Sequence, residues 1–271
     1  MQEFAGKVAV ITGAASGIGR AIAEHCAKER IKLVLADIEE PALNQSLQEL
    51  RTATSSVIAV KTDVSKEEDV KALARKAVEA FGSVELLFNN AGVGIGGPTV
   101  WECTLPEWEW IIGVDLWGVI HGIRTFVPIM LKQGTDCHIV NTASIAGLVT
   151  TTGVGAYAVS KHGVVALTET LSRELGQRNS NIKVSVLCPS FVNTRILESV
   201  RNRPERAKLY SSGVPMSGEL IQAVKDGMSP QCVADYVFTA IKEERTYIIT
   251  HQSTEDIETR MNGILQDCPV D

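Results

Sequence analysis

The chain has no excess of positive charge. With Lys+Arg 26 against Asp+Glu 32 its net charge is -6 at pH 7, so nothing in the balance draws it to nucleic acid or an anionic membrane. No two of its six cysteines (Cys26, Cys103, Cys137, Cys188, Cys232 and Cys268) have C-x-x-C spacing, and no metal is expected. Most lie in apolar runs or at helix-like positions, the habit of buried free thiols in a reducing cytosol. The start, MQEFAGKVAV, lacks a charged segment followed by a long apolar one, so it does not read as a secretory signal. The most apolar helix-length stretch, 110–130, is broken by Asp115, His121 and Arg124, too many polar groups for a membrane span. There is no repeat, low-complexity tract or linker. These absences lead us to expect a soluble, cytoplasmic protein.

Its 271 residues, 45% hydrophobic and 21% charged, are ordinary for a globular protein, and length alone allows one large domain or two small ones. Short apolar runs at 8–12, 33–36, 57–61, 86–89, 138–142, 184–187 and 247–250 alternate with helix-patterned segments near 17–29, 41–51, 66–81, 106–132, 155–177 and 230–243. Strands apolar on both faces and separated by helices predict a parallel sheet covered on both sides. The expectation is a single α/β domain over 1–271: a doubly wound, seven-stranded parallel sheet. Two insertions, the glycine-rich 92–104 and the long 194–229, follow strand ends where such sheets bind ligands, and the second is expected to be a substrate lid. Residues 110–123 are apolar almost all round, which asks for a second partner and predicts a symmetric subunit interface.

After the first run comes Thr12-Gly13-Ala14-Ala15-Ser16-Gly17-Ile18-Gly19, leading into a helix. Glycines here permit a tight turn and let backbone approach a pyrophosphate, which the helix N-terminus attracts. The spacing is G-x-x-x-G-x-G and is weak alone. Asp37 closes the second strand, where a carboxylate can accept from ribose hydroxyls and repel a 2′-phosphate. Ile38 follows it and no arginine is evident nearby, so NAD is preferred to NADP. Asp63-Val64 and Asn89-Asn90-Ala91-Gly92 fall at the same sheet edge, as adenine and backbone-bracing contacts.

Ser144 follows the fifth run, and Tyr157 and Lys161 lie one turn apart on a helix. A phenol of ordinary pKa about 10 is a poor base at neutral pH, and a nearby ammonium lowers that value. Ser144 could hold an oxygen where negative charge develops. A Tyr-x-x-x-Lys pair alone is commonplace.

In order, Thr12-Gly13-x-x-x-Gly17-Ile18-Gly19, Asp63-Val64, Asn89-Asn90-Ala91-Gly92, Ser144, Tyr157-x-x-x-Lys161 and Pro189-x-x-Val192-x-Thr194 resemble the short-chain dehydrogenase/reductases, over roughly residues 6–251. The resemblance implies a Rossmann-type fold and direct hydride transfer between NAD and a secondary alcohol or ketone. It implies Tyr157 as acid/base, Lys161 as the group that lowers its pKa and grips the nicotinamide ribose, and Ser144 as substrate-orienting. It further implies that Val192 and Thr194 hold the carboxamide, and a homodimer or homotetramer packed through the long helices.

Two positions depart from the family habit. Asp115 stands where an asparagine usually helps a proton relay end at the lysine, and Ser190 stands where glycine commonly follows the proline. Altered pH dependence, with activity retained, is expected from Asp115. The competing readings are an NADP-dependent carbonyl reductase, disfavoured by Asp37, and a non-catalytic nucleotide sensor, disfavoured by the intact tyrosine–lysine pair. An enoyl reductase would space that pair differently.

Trp101, Trp108, Trp110 and Trp117 read as packing residues, with Trp101 best placed for substrate. His162 reads as a surface or interface residue and His251 as partnerless. The charges Arg195, Arg201, Arg203, Arg206 and Lys208 read as solvated. Ile196, Leu197, Val200, Tyr210, Val214, Met216 and Leu220 suggest an apolar pocket under the lid, suited to alicyclic, aromatic or longer-chain alcohols.

Overall fold

The computed structural model describes residues 1–94, 96–209, 211–251 and 254–267. Seven parallel strands form one sheet: β1 (Val8–Thr12), β2 (Lys32–Asp37), β3 (Val57–Lys61), β4 (Leu86–Asn89), β5 (Cys137–Thr142), β6 (Ile182–Cys188) and β7 (Tyr247–Ile249), in the order β3-β2-β1-β4-β5-β6-β7. The helices between them are α1 (Gly17–Lys28), α2 (Glu40–Arg51), α3 (Glu67–Phe81), α4 (Leu105–Ile112), α5 (Gly118–Gln133), α6 (Gly155–Gln177), α7 (Glu205–Leu209), α8 (Gly218–Lys225) and α9 (Pro230–Lys242). A last helix, α10 (Thr254–Gln266), follows β7.

Side-chain alternation along the strands sorts the core into two layers. Ala9, Ile11, Leu33, Leu35 and Phe88 face α1, α2 and α9, whereas Val8, Val10, Val34, Ala36 and Leu87 face α3, α5 and α6. That two-sided burial is why the strands read as near-continuous apolar runs. The expected doubly wound sheet is what the chain forms.

The order reverses between β1 and β4, so their following loops diverge and open a crevice at the carboxyl edge. α4 and α5 are halves of one long helix joined by a π-helical turn, Gly113–Trp117. By length and composition that helix, Leu105–Gln133, could cross a membrane; here it packs against α3 and α6. Trp110 and Ile111 are buried within the protein, while Trp117 is half exposed beside the His121 ring. The segment is buried at both ends, through Trp110 and Ile111 and through Val119 and Ile123, with Trp117 exposed between them.

Several expectations need correction. The stretch 194–229 is not a plain loop: it holds a 3-10 turn, Ile196–Asn202, then α7 and α8. α10 was not anticipated. Cys26, Cys137 and Cys188 are buried free thiols, but Cys103 is only partly buried and Cys232 is exposed. Cys268 and Tyr210 lie outside the described residues.

Candidate functional site

A cleft of about 420 Å³ lies at the carboxyl edge of the sheet, within the range of small-ligand sites. Gly13, Ser16, Gly17, Ile18, Asp37, Asp63 and Val64 line one end. Asn90, Ala91, Gly92, Ser144, Tyr157, Lys161, Pro189, Val192 and Thr194 line the rest. Two residues expected at the site stand behind this wall. Gly19 is covered by the turn it supports, and Asp115 is sealed behind Lys161.

The glycine turn is shaped by contact. A Cβ at Gly19 would meet the Gly13 carbonyl oxygen at 2.2 Å, and Gly17 has φ +56, a conformation that L side chains rarely adopt. Ser16 sits at the N-cap of α1 with its side chain making no capping bond among the described residues, and the first turn carries no acidic group. The first N–H groups of α1 are thus left for an anion lying in the cleft. The Thr12 hydroxyl braces the neighbouring loop, accepting from the backbone N–H groups of Asn90 (2.9 Å) and Ala91 (3.0 Å), while Asn90 Nδ2 donates to the Thr12 carbonyl at 3.0 Å. Asn89 braces the layer below through Asn141 Oδ1 at 2.9 Å.

Asp37 accepts from the N–H of Ala15 and of Glu39, both at 3.0 Å, so its carboxylate is aimed at the turn and spans from it to the β2 edge. Burial raises its pKa, and those two N–H groups pull it back. Each oxygen keeps lone-pair capacity for a ribose hydroxyl. Asp63 is tied into its own turn by Ser65 at 2.6 Å, which fixes the wall beside Val64.

At the other end Lys161, almost fully buried, donates to the Thr142 carbonyl at 3.2 Å and lies 3.4 Å from Asp115 Oδ2. Asp115 Oδ1 accepts from Val93 N–H at 2.7 Å. Burial pulls the Lys161 ammonium down, but Asp115 and Tyr157 outweigh it and hold it above the ordinary lysine value. Burial pushes Asp115 up, with Lys161 and the Val93 N–H opposing. The short bond from Val93 and the facing ammonium both favour the carboxylate, so the geometry is that of an ion pair.

Lys161 Nζ lies 5.4 Å from the centre of the Tyr157 ring. Burial raises the Tyr157 phenol above its usual value; Lys161 and the Ser144 hydroxyl pull it down, and Asp115 pushes it up. The expected lowering by lysine is present in sign, but burial exceeds it. Ser144 caps the 3-10 turn Ile145–Gly147, accepting from Ala146 N–H at 3.2 Å, which fixes its hydroxyl near the tyrosine.

The 194–229 segment closes the cleft, and Ile196, Leu197, Met216 and Leu220 line it. Val200 and Val214, expected to join them, are turned outward. A Cβ at Gly96 would lie 2.9 Å from Leu220 Cδ2, so the glycine-rich loop is flat where the 194–229 segment rests on it. Ser199 pins that contact in both directions, accepting from Gly94 N–H and donating to Gly94 O, each at 3.0 Å. Of the tryptophans, Trp110 lines the cleft and Trp101 is 83% exposed, which reverses the expected choice.

Sequence reasoning missed a second set of residues because their partners are far away in the chain. Glu107 is fully buried and accepts from Thr104, Ser211, Ser212 and Arg203. Burial raises its carboxyl, but these bonds together hold it below the ordinary value. Arg203 is buried above the Trp110 ring and Arg201 pairs with Glu39, so neither is the solvated charge expected. His162 is half buried with its ring bonded to the Ala158 carbonyl. His251 is not partnerless, since its Nδ1 lies 2.7 Å from the Thr250 hydroxyl and accepts from Ser190 N–H at 3.4 Å. The only hint of these was a run of arginines.

Fold and crevice together define a protein of the doubly wound, nucleotide-binding α/β class. The family model for short chain dehydrogenase matches residues 7–205, and the chain belongs to that family. It is 37% identical over 275 residues to a CLA biosynthesis dehydrogenase/reductase of Lactiplantibacillus plantarum, covering 98% of this chain and 96% of that protein. It is 36% identical over 264 residues to a 1-deoxy-11-beta-hydroxypentalenate dehydrogenase of Streptomyces arenae, covering 96% and 87%. Among solved structures, a short chain dehydrogenase/reductase from Burkholderia phymatum in complex with NAD is 47% identical with TM-score 0.93, covering 100% of this chain and 99% of that one.

Proposed function

We propose that the protein is an NAD(H)-dependent oxidoreductase that interconverts a secondary alcohol and a ketone. The observation that carries the reading is a single cleft with the uncapped N-terminus of α1 and Asp37 at one end and Ser144, Tyr157 and Lys161 at the other. The donor set fits a dinucleotide: free N–H groups for the pyrophosphate, Asp37 for the adenosine ribose, and Lys161 for the second ribose. Val192 and Thr194, with Pro189, line the same cleft and would hold the carboxamide. The NAD-bound Burkholderia phymatum relative supports this choice of cofactor.

The bound nicotinamide would exchange a hydride with the carbinol carbon. In oxidation Tyr157 takes the substrate hydroxyl proton through its phenolate oxygen, and in reduction it returns that proton to the carbonyl oxygen. Lys161 stabilises the phenolate, and Asp115 with the Thr142 carbonyl fixes the ammonium in place. Ser144 donates a hydrogen bond to the substrate oxygen where charge develops. The lid excludes water, and Trp110, Met216 and Leu220 favour an alicyclic, aromatic or longer-chain substrate. Exposed Trp117 on the long helix and Val159 on α6 support association into a homodimer or homotetramer.

The test is a screen of secondary alcohols and ketones with NAD⁺, NADH and their 2′-phosphorylated counterparts. Turnover confined to the phosphorylated cofactors would replace this reading with an NADP-dependent carbonyl reductase. Cofactor binding without any turnover would favour a sensor.

A further inference from the structure

The lid reaches the end of the cleft opposite its substrate wall. Glu39 lies two residues beyond Asp37, and its backbone N–H donates to the Asp37 carboxylate at 3.0 Å. Its own carboxylate receives the end of the 3-10 turn Ile196–Asn202. Arg201 Nη2 and Asn202 Nδ2 both donate to Glu39 Oε1, the second at 2.8 Å. A second guanidinium nitrogen of Arg201 lies 3.4 Å from the Arg195 carbonyl, so the arginine is held at two points. Its Nε is buried and has no hydrogen-bond partner among the described residues. Asp37, Glu39, Arg201 and Asn202 all line the same cleft.

We infer that Glu39, Arg201 and Asn202 form a latch that closes the lid across the adenosine end of the cofactor site, setting dinucleotide residence and, through the engaged arginine, selectivity. The inference rests on the proposed dinucleotide site and adds residues to it. The same short turn that pins the substrate loop through Ser199 and Gly94 also grips the β2 edge. Lid closure is thereby sensed at both ends, and the dinucleotide cannot leave past Asp37 until Arg201 releases Glu39.

The charge arrangement carries the selectivity argument. A guanidinium lines the same end of the cleft as Asp37, but Glu39 already neutralises it. Arg201 is paired with Glu39, and the Glu39 carboxylate in turn acts on Asp37 as a like charge, an unfavourable setting for a further dianion. Removing the Glu39 charge frees the arginine fork while leaving Asp37 in place, so NADP⁺ binding improves but preference does not invert. Sequence reasoning found no arginine for this position because Arg201 stands far down the chain from Glu39.

The experiment compares wild type, Glu39→Gln, Arg201→Met and the double variant. NAD⁺ and NADP⁺ affinities are read by titration, and hydrogen exchange of residues 196–209 is read without ligand. A partly exposed pair of this kind predicts that each single variant weakens NAD⁺ roughly two- to fivefold. The double variant should be no worse than either single, since both remove one interaction. Exchange in 196–209 should rise in all three. NADP⁺ should bind Glu39→Gln more tightly than wild type, and that gain should vanish in the double variant, an outcome a general folding defect cannot produce. If wild type binds neither dinucleotide, the cofactor reading fails and the residence role with it, while the exchange data still report on the latch. If wild type binds NAD⁺ and the variants change neither affinity nor exchange, the latch is overturned and the cofactor reading stands.

Discussion

Lys161 Nζ and Asp115 Oδ2 lie 3.4 Å apart with side chains 4% and 0% exposed. The carboxylate stabilises the ammonium and at the same time opposes the ammonium's pull on Tyr157, whose phenol it pushes up. Asp115→Asn removes that charge at nearly constant volume. One amide oxygen can still accept from Val93 N–H, so the loop contact survives. The phenol should then ionise more easily, and the alkaline optimum of the oxidation reaction should move to lower pH. A pH–rate profile for both proteins reads this directly. An upward shift would mean that Lys161, deprived of its partner, has lost its proton.

Tyr157 and Lys161 should separate by what they do to cofactor binding. Tyr157→Phe removes only the proton-carrying hydroxyl and should lower turnover by roughly 10²–10⁴-fold, with NAD⁺ affinity close to unchanged. Lys161→Ala should reduce both turnover and affinity. Steady-state kinetics paired with equilibrium titration distinguish the two. Substantial turnover in the phenylalanine variant would require another proton path.

Asp37 is predicted to give NAD⁺ at least about a tenfold advantage over NADP⁺, equivalent to about 1.4 kcal/mol. Asp37→Ala should narrow that gap from both sides, losing ribose contacts and relieving repulsion. Fluorescence titration with both dinucleotides measures it. Equal affinities in the wild type would place the carboxylate outside the ribose contact.

Glu107 joins α4 to the far side of the lid from a fully buried position. Glu107→Ala leaves the buried Arg203 without its anion, and breaking a buried pair in this way costs about 3–5 kcal/mol. Urea denaturation should show that loss, and hydrogen exchange should place the loosening around 203–209. A loss below about 1 kcal/mol would show Arg203 finding water instead, as an exposed pair does.

The strands and long helices were legible because their signal is local. A strand buried on two faces must be apolar along its length, and β1 is buried at every position. The glycine turn, Asp37 and the Tyr157–Lys161 pair were legible for a similar reason, each lying within or at the end of an element whose pattern is local. Arg201 and Arg203 were not. A charge's partner is set by tertiary packing, so a guanidinium in a run of five cations looks solvated until Glu39 or Glu107 is brought to it. α10 carries a helical period in Ile257, Met261 and Ile264, yet Met261 and Ile264 remain exposed, so no core demand marked it. Trp101 was misjudged because loop membership was taken for proximity, whereas Trp110 reaches the cleft from a helix.

The π turn at Gly113–Trp117 bears on how far this protein could be strengthened. A π turn fits one more residue into its span than a regular helix would, which rotates everything after it by about 100°. Asp115 lies inside that turn, paired with Lys161. Deleting one residue here would let the helix regularise, and a regular helix is the more robust one. The repaired chain would keep its core and lose the carboxylate from beside the lysine. An engineer ranking variants by melting temperature alone would therefore select against an irregularity that carries the carboxylate paired with Lys161.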